Sequence, residues 1–449
     1  MRAGDPMPIA ASPSVWEHTA TSPRIQGAAP AGDVHVETAV VGAGFTGLSA
    51  AHHLWKAGRE CLVLDANAPG WGASGRNGGM AVLRYKTGFA ALARKYGAET
   101  TLGLHGLIQE AVDTLESIVT THRIPCSFRR CGHLTAASSE AALAALREDV
   151  QWLRAHAGDD VPRILEYDEM ARVSGTAVYR GGYVDPRAAG IHPLDYARGL
   201  ASALQKAGVR IHGQSPVERI DRSGDGYRLV TRGAVVKARR VILATNAYTD
   251  LEKLGFRLAQ RIVPVASSVI ATAPLTDAQR SAVLPQGHLL TDTRKLTNYF
   301  RVTPDGRLLF GGRGDLLGRD VPASFRGLED LLAATYPMLK DVAIEHRWSG
   351  KVAVTLDDFP HLGELAPGVF FAIGYGGRGV ALSQLLGRLV AAMACGSAVA
   401  AGPMSGASFR PIPLHGLRVP GMQAVATWYR WRDLLSARQD RAGSVAPQT

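Results

Sequence analysis

Cysteine is scarce in this chain, and most of the sites that cysteine builds are excluded with it. Only four occur in 449 residues, at positions 61, 126, 131 and 395. Cys126 and Cys131 have C-x4-C spacing but no second pair to complete a tetrahedral site, so zinc is not expected, nor any other metal. Cys61 and Cys395 lie in apolar and Ala-rich stretches and read as small core residues. Such sparse thiol usage suits a reducing compartment. Long apolar runs are also absent. No stretch reaches the ~18 apolar residues of a membrane-spanning helix, so no integral membrane segment is expected. The N-terminus, MRAGDPMPIAASPSVWEHTA, lacks the basic-then-apolar order of a signal peptide, and a cytoplasmic protein is the expectation. The net charge is +11, yet no block of five basic residues occurs. The arginines are scattered and no nucleic-acid motif accompanies them, so no nucleic-acid partner is expected. No internal repeat is found.

What is present suits a soluble globular body: 46% hydrophobic and 20% charged residues, enough for a sizeable core in two or three domains or one large α/β body. Residues 1–34, rich in Ala, Pro, Ser and Gly, read as a flexible arm for which Trp16 offers an anchor. From Val34 the character changes. HVETAVVGAG is an apolar strand, FTGLSAAHHLWKAG a helix ending at Gly58, and RECLVLDA a second strand. Helical periodicity returns in 89–122 and 139–157, with strand-like residues over 125–137. HPLDYARGLASALQKAG is a helix with Pro193 near its first position, where a missing N–H costs little. Residues 261–313 hold several β-rich pieces, and GVFFAIGYGGRGVALSQLLGRLVAAMACG reads as strand, Gly-rich turn and long helix. The pattern predicts an α/β fold. A Rossmann-type dinucleotide-binding domain is assembled from 35–89, 184–250 and 340–400. An α+β substrate domain, 90–183 and 251–339, is inserted on a mostly antiparallel sheet, and a tail, 401–449, carries one helix.

The strongest motif is VVGAGFTGLSAAHHLWKAG. Gly42, Gly44 and Gly47 stand in G-x-G-x-x-G spacing between a strand and a helix, with Phe45 and Thr46 inside the motif. Gly42 permits the tight turn, Gly44 lets the backbone approach a pyrophosphate, and Gly47 lets helix and strand pack closely. The helix N-terminus then offers free N–H groups to the phosphates. Asp65, followed by Ala66, closes the second strand where a ribose-binding acid belongs, and its charge argues against a 2′-phosphate. Three features favour FAD over a nicotinamide: the Gly-rich loop PGWGASGRNGGM straight after Asp65, the late strand RRVILATNAY ending at Ala244 and Thr245, and a second helix N-terminus at Gly376, Gly377, Arg378 and Gly379.

These residues resemble the glycine/sarcosine/D-amino-acid oxidase family of flavoproteins, most of all its γ-glutamylputrescine oxidase-like branch. The matching stretches include GWGASGRNGGM, GIHPLDYARGL, NYFRVTPDGRLLFGG, HRWSGKVAVTLDDFPHLGEL and GYGGRGVALSQLLGRL, so the likeness spans most of the chain. It implies flavin contacts at Ser74, Arg76, Asn77, Gly78 and Gly79, and further ones at Val217, Ala244, Gly376, Arg378 and Gly379. It also implies the chemistry: a neutral amine loses hydride equivalents to the flavin, the imine hydrolyses to an aldehyde or keto product, and oxygen is reduced to hydrogen peroxide. Two departures from the family pattern are informative. Covalent relatives carry a cysteine in the segment matching WSGKVAVT; residues 346–363 have none, so FAD is expected to be noncovalent. Amino-acid-oxidising relatives place there an arginine that clamps the substrate carboxylate. Val352 stands at that position, which favours an amine without that group, although Lys351 is adjacent.

Candidates for the substrate pocket are Tyr85, Tyr299, Arg301 and Tyr375. Tyr299 and Arg301 flank Phe300 on one strand face, which looks either onto the flavin or to solvent. Arg313 is either a cation that helps oxygen accept charge or one half of a surface ion pair. Two rival functions stand beside the amine oxidase. One is a dehydrogenase passing electrons to a quinone or carrier protein, with the basic aromatic helix at 423–438 on an anionic membrane. The other is a flavin-binding partner module without turnover. The oligomeric state is not legible.

Overall fold

The computed structural model describes residues 12–25, 30, 32–248, 256–312, 320–406 and 409–443. Its first layer grows from the strand Gly32–Val41. This strand pairs in parallel with Cys61–Leu64 on one side and Ala234–Leu243 on the other. Arg210–His212 continues the sheet beyond Cys61–Leu64, and Val369–Ile373 runs parallel to the end of Ala234–Leu243. Both faces are covered, so the strands read as near-continuous Val, Ile and Leu rather than as alternation. One cover is made by the helices Phe45–Lys56 and Gly379–Ala394, which approach closely. A Cβ on Gly387 would sit 2.6 Å from that of Ser49, and the Ser49 hydroxyl donates to the Gln384 carbonyl at 2.7 Å. Helix Ala98–His122 packs on the same pair. The helices within residues 89–122, expected in the substrate domain, pack on this first layer.

The second sheet is mostly antiparallel, in the order Ile344–Val354, Val263–Pro274, Arg307–Gly312, Tyr299–Val302, Leu289–Asp292, His133–Ala136, Gly182–Asp185 and Arg163–Leu165. Ile344–Val354 was expected among the nucleotide-binding segments. It pairs instead with Val263–Pro274 over ten registered positions, because backbone pairing, not chain proximity to the last helix, decides its sheet. One face of this sheet buries Ile270, Leu290, Phe300 and Phe310 against helix Arg326–Thr335. Strand alternation then turns Tyr299 and Arg301 to the opposite face, toward the first layer rather than to water.

Within the arm, Trp16 is held in the body as an anchor. Residues Val15–Thr19 form a helical turn, with Val15 and Trp16 buried among Leu194, Val269, Leu309 and Trp348. A large aromatic with a core site to fill orders the segment that composition alone marks as loose. Among the described residues of the tail the one α-helix is Arg418–Gly443. Among the described residues no helix is long and apolar enough to cross a membrane.

Candidate active site

The first strand ends in a turn that only small residues allow. Gly42 adopts φ +108°, and a Cβ there would lie 2.8 Å from the Ala244 carbonyl oxygen. A Cβ on Gly47 would fall on the Gly42 carbonyl oxygen itself. Gly44 caps the helix Phe45–Lys56 without a side chain, and Phe45 donates its N–H to the Ser74 hydroxyl at 2.9 Å. Asp65 is half-buried at the cavity wall, and its carboxylate accepts from the N–H of Ala43 at 2.6 Å and of Asn67 at 2.8 Å. Burial pushes the Asp65 carboxyl up to about 6, and the two amide hydrogen bonds oppose the shift.

A cavity of about 1160 Å³ opens from this turn, above the roughly 300–1,000 Å³ common for ligand clefts and in keeping with a dinucleotide plus a small substrate. Its wall includes Gly42, Gly44, Phe45, Thr46, Asp65 and Ala66 at one end. The loop after the second strand contributes Ser74, Arg76, Asn77 and Gly78, the loops flanking the late strands Val217, Ala244 and Thr245, and the second helix N-terminus Gly376, Gly377, Arg378 and Gly379. Two expected contacts lie behind the wall. Gly47 serves helix packing, and Gly79 offers its carbonyl to Arg301 at 2.8 Å.

Of the pocket candidates, two reach the cavity. Tyr299 lies across Gly311, where any Cβ would collide with the ring, and shares a hydrogen bond with the Ser267 hydroxyl at 3.2 Å. Tyr375 is held by Thr46 at 2.7 Å. Arg301 does not reach it. Its guanidinium donates to the carbonyls of Gly79 and Ile191 at 2.8 and 3.0 Å, stitching the Gly-rich loop after the second strand to the second sheet. Buried backbone carbonyls capture a buried guanidinium more readily than an open cavity does. Tyr85 is likewise structural, donating to the Leu104 carbonyl at 2.9 Å. Arg313 lies outside the described residues.

Other wall residues were missed. Trp71, Tyr248, Lys86, Thr291 and Lys295 line the cavity, and so does the stretch from Ile412 to Tyr429 at the start of the last helix. The Trp and Tyr residues of that tail were its only signal. Val263, Val265, Ser267 and Val269 alternate onto the wall and face Gly350, Val352 and Val354 of the neighbouring strand. Among the described residues no histidine and no cysteine lines it.

A glycine turn that no side chain can enter, an acid held against it and a long cavity leading to a second sheet define a dinucleotide-dependent enzyme. The chain belongs to the DAO family of FAD dependent oxidoreductases, whose profile matches residues 37–393. It is 34% identical over 359 residues to the probable oxidoreductase OrdL of Haemophilus influenzae, covering 80% of this chain and 82% of that one. It is 33% identical over 401 residues to the gamma-glutamylputrescine oxidoreductase of Escherichia coli, covering 89% and 93%. Among solved structures, glycine oxidase from Geobacillus kaustophilus superposes with a TM-score of 0.71 at 22% identity, covering 85% of this chain and 99% of that one. The family acts on C–N bonds of amines or amino acids, and the cradle described here fits its cofactor: the glycine turn and helix N-terminus would hold the pyrophosphate and Asp65 the ribose.

Proposed function

We propose that this enzyme oxidises the C–N bond of an amine whose carboxylate, where it has one, lies away from the reacting carbon, as in a γ-glutamylated diamine. The FAD is held noncovalently and oxygen is reduced to hydrogen peroxide. The observation that carries this reading is the wall around Val352. Val265 pairs with Val352, and Val263 with Val354, so two registered valine pairs occupy the sheet face where a carboxylate clamp would stand. An α-carboxylate placed there is desolvated without a partner, which costs several kcal/mol. A neutral amine and its methylene chain suffer no such penalty. Among the described residues of the rest of the wall the cations Arg76, Lys86, Arg232, Lys295, Lys351, Arg378 and Arg418 outnumber the acids Asp65 and Glu218, with Lys86 paired to Asp358 and Arg232 to Glu218. That balance opposes entry of a free polyamine and tolerates an amine carrying an acid.

When bound, FAD accepts the two electrons that leave the amine as a hydride equivalent. The protein's share is to orient and to exclude water. The valine wall removes water from the amine, and Tyr299 and Tyr375, each fixed by a hydroxyl partner, limit the poses open to it. Anaerobic mixing with an amine panel tests the reading. A γ-glutamylated diamine should bleach the flavin band at least tenfold faster than glycine, sarcosine or a free polyamine; fastest bleaching by an α-amino acid would sink the argument from Val352. Oxygen uptake matched by peroxide separates an oxidase from a dehydrogenase. The second outcome is favoured by one feature, the half-exposed Trp428 and Trp431 on the helix that borders the cavity.

The absence of cysteine and histidine from the described wall supports a noncovalent cofactor. Acid precipitation should leave all the yellow colour in the supernatant; colour that stays with the pellet would show a covalent link.

A further inference from the structure

The Gly-rich loop 72–79 presents Ser74, Arg76, Asn77 and Gly78 to the cavity. Such a chain has a wide choice of backbone shapes, so its binding shape has to be imposed by neighbours. Two indoles do this from behind. Trp348, on the second sheet, donates to the Arg76 carbonyl at 2.8 Å, and Trp16 donates to the Asn77 carbonyl at 2.7 Å. The same N-terminal segment reaches two more points of the loop. The Ser14 hydroxyl meets the Gly75 carbonyl at 3.4 Å, and the Ser12 carbonyl accepts from the Arg76 guanidinium at 2.7 Å. Arg76 is 7% exposed, and its guanidinium also donates to a second carbonyl, that of Ser349 at 2.8 Å. The segment is itself moored to the nucleotide-binding layer. Thr21 and Ser22 donate their N–H groups to the Asp195 carboxylate at 3.0 and 2.7 Å, Glu17 pairs with Arg198 at 2.8 Å, and Trp16 stands edge-on to His192 at 4.8 Å.

We propose that residues 12–25 form a strap that holds the flavin loop in its binding shape, with Trp16 as the positioning residue, so that strap docking and FAD binding strengthen each other. This rests on the assignment of the cavity to FAD. Trp16 touches the loop's outer side and acts on the cofactor only through Asn77 and Arg76. Linkage makes the effect reciprocal: whatever factor the docked strap adds to FAD affinity, bound FAD adds to strap docking. A strap that serves the fold alone would hold equally well with and without FAD.

The experiment uses full-length protein stripped of FAD and titrated with it by flavin fluorescence, alongside amide hydrogen exchange of the unmodified protein with and without FAD. Trp16→Phe keeps the ring and loses the N–H donor. It should bind FAD about tenfold more weakly, the loss expected for one buried hydrogen bond, and Trp16→Ala should bind more weakly still. In the unmodified protein FAD should slow exchange at Thr21 and Ser22. Unchanged FAD affinity in Trp16→Phe, or equal exchange of the strap with and without FAD, would overturn the proposal. Failure of the unmodified protein to bind FAD would overturn the cofactor assignment and the strap with it.

Discussion

Gly47→Ala should purify nearly colourless, with FAD affinity down by at least two orders of magnitude. One methyl group does this because of where it lands. At Gly47 a Cβ would overlap the Gly42 carbonyl oxygen and stand 3.2 Å from a Val40 methyl. Neither neighbour can yield, since both belong to the strand and turn that the helix packs on. The helix Phe45–Lys56 has to move outward, and its free N–H groups move with it. Misplacing a binding group by about 1 Å commonly costs on the order of a hundredfold. Gly58→Ala provides the comparison. Gly58 sits at φ +66° with nothing within 4 Å of a Cβ, so alanine there meets backbone strain of roughly 1–2 kcal/mol but no collision. It should lower the melting temperature and leave FAD affinity unchanged. Flavin-to-protein ratios and FAD titrations of both variants decide the matter. Full occupancy in Gly47→Ala would mean that the close approach is not what shapes the site.

The dinucleotide unit was legible because everything that makes it is local. A strand, a glycine turn, a helix and an acid follow one another within residues 34–65, and each announces itself by composition or period. The antiparallel layer was legible in kind, since 261–313 alternates and turns as such strands must. What was not legible depends on contacts between distant segments. No sequence rule places Arg301 against the carbonyls of Gly79 and Ile191 instead of against substrate, because both readings need a buried arginine on the same strand face. Ile344–Val354 joins the second sheet although the next two strands in the chain, His361–Ala366 and Val369–Ile373, both lie in the first. Trp16 reads as an anchor for the arm, but nothing in the sequence says that the Asn77 carbonyl is what it holds. The cavity wall from Ile412 to Tyr429 is hidden for the same reason, as a tail helix carries no sign of what it leans on.

Amine turnover should rise steeply with pH and should not need a protein base. The only carboxylates on the described cavity wall are Asp65 and Glu218. Asp65 is engaged by the N–H groups of Ala43 and Asn67, and Glu218 pairs with Arg232. Tyr375 is no base at neutral pH either, since burial drives its phenol well above the usual range. A primary alkylamine titrates near pH 10, so only its neutral fraction can give up a hydride equivalent. The cationic wall sharpens this requirement by repelling the protonated form. The rate of flavin bleaching per unit substrate should therefore climb about tenfold per pH unit from pH 7 and level off near pH 10, roughly a thousandfold in all. Measurement belongs above pH 6.5. Below about 6 the Asp65 carboxyl takes up its proton, and a falling FAD affinity would be mistaken for a falling rate. A profile that is flat from pH 7 to 9 would reveal a group on the protein that removes the amine proton, and with it an error in treating this wall as a passive, water-excluding surface.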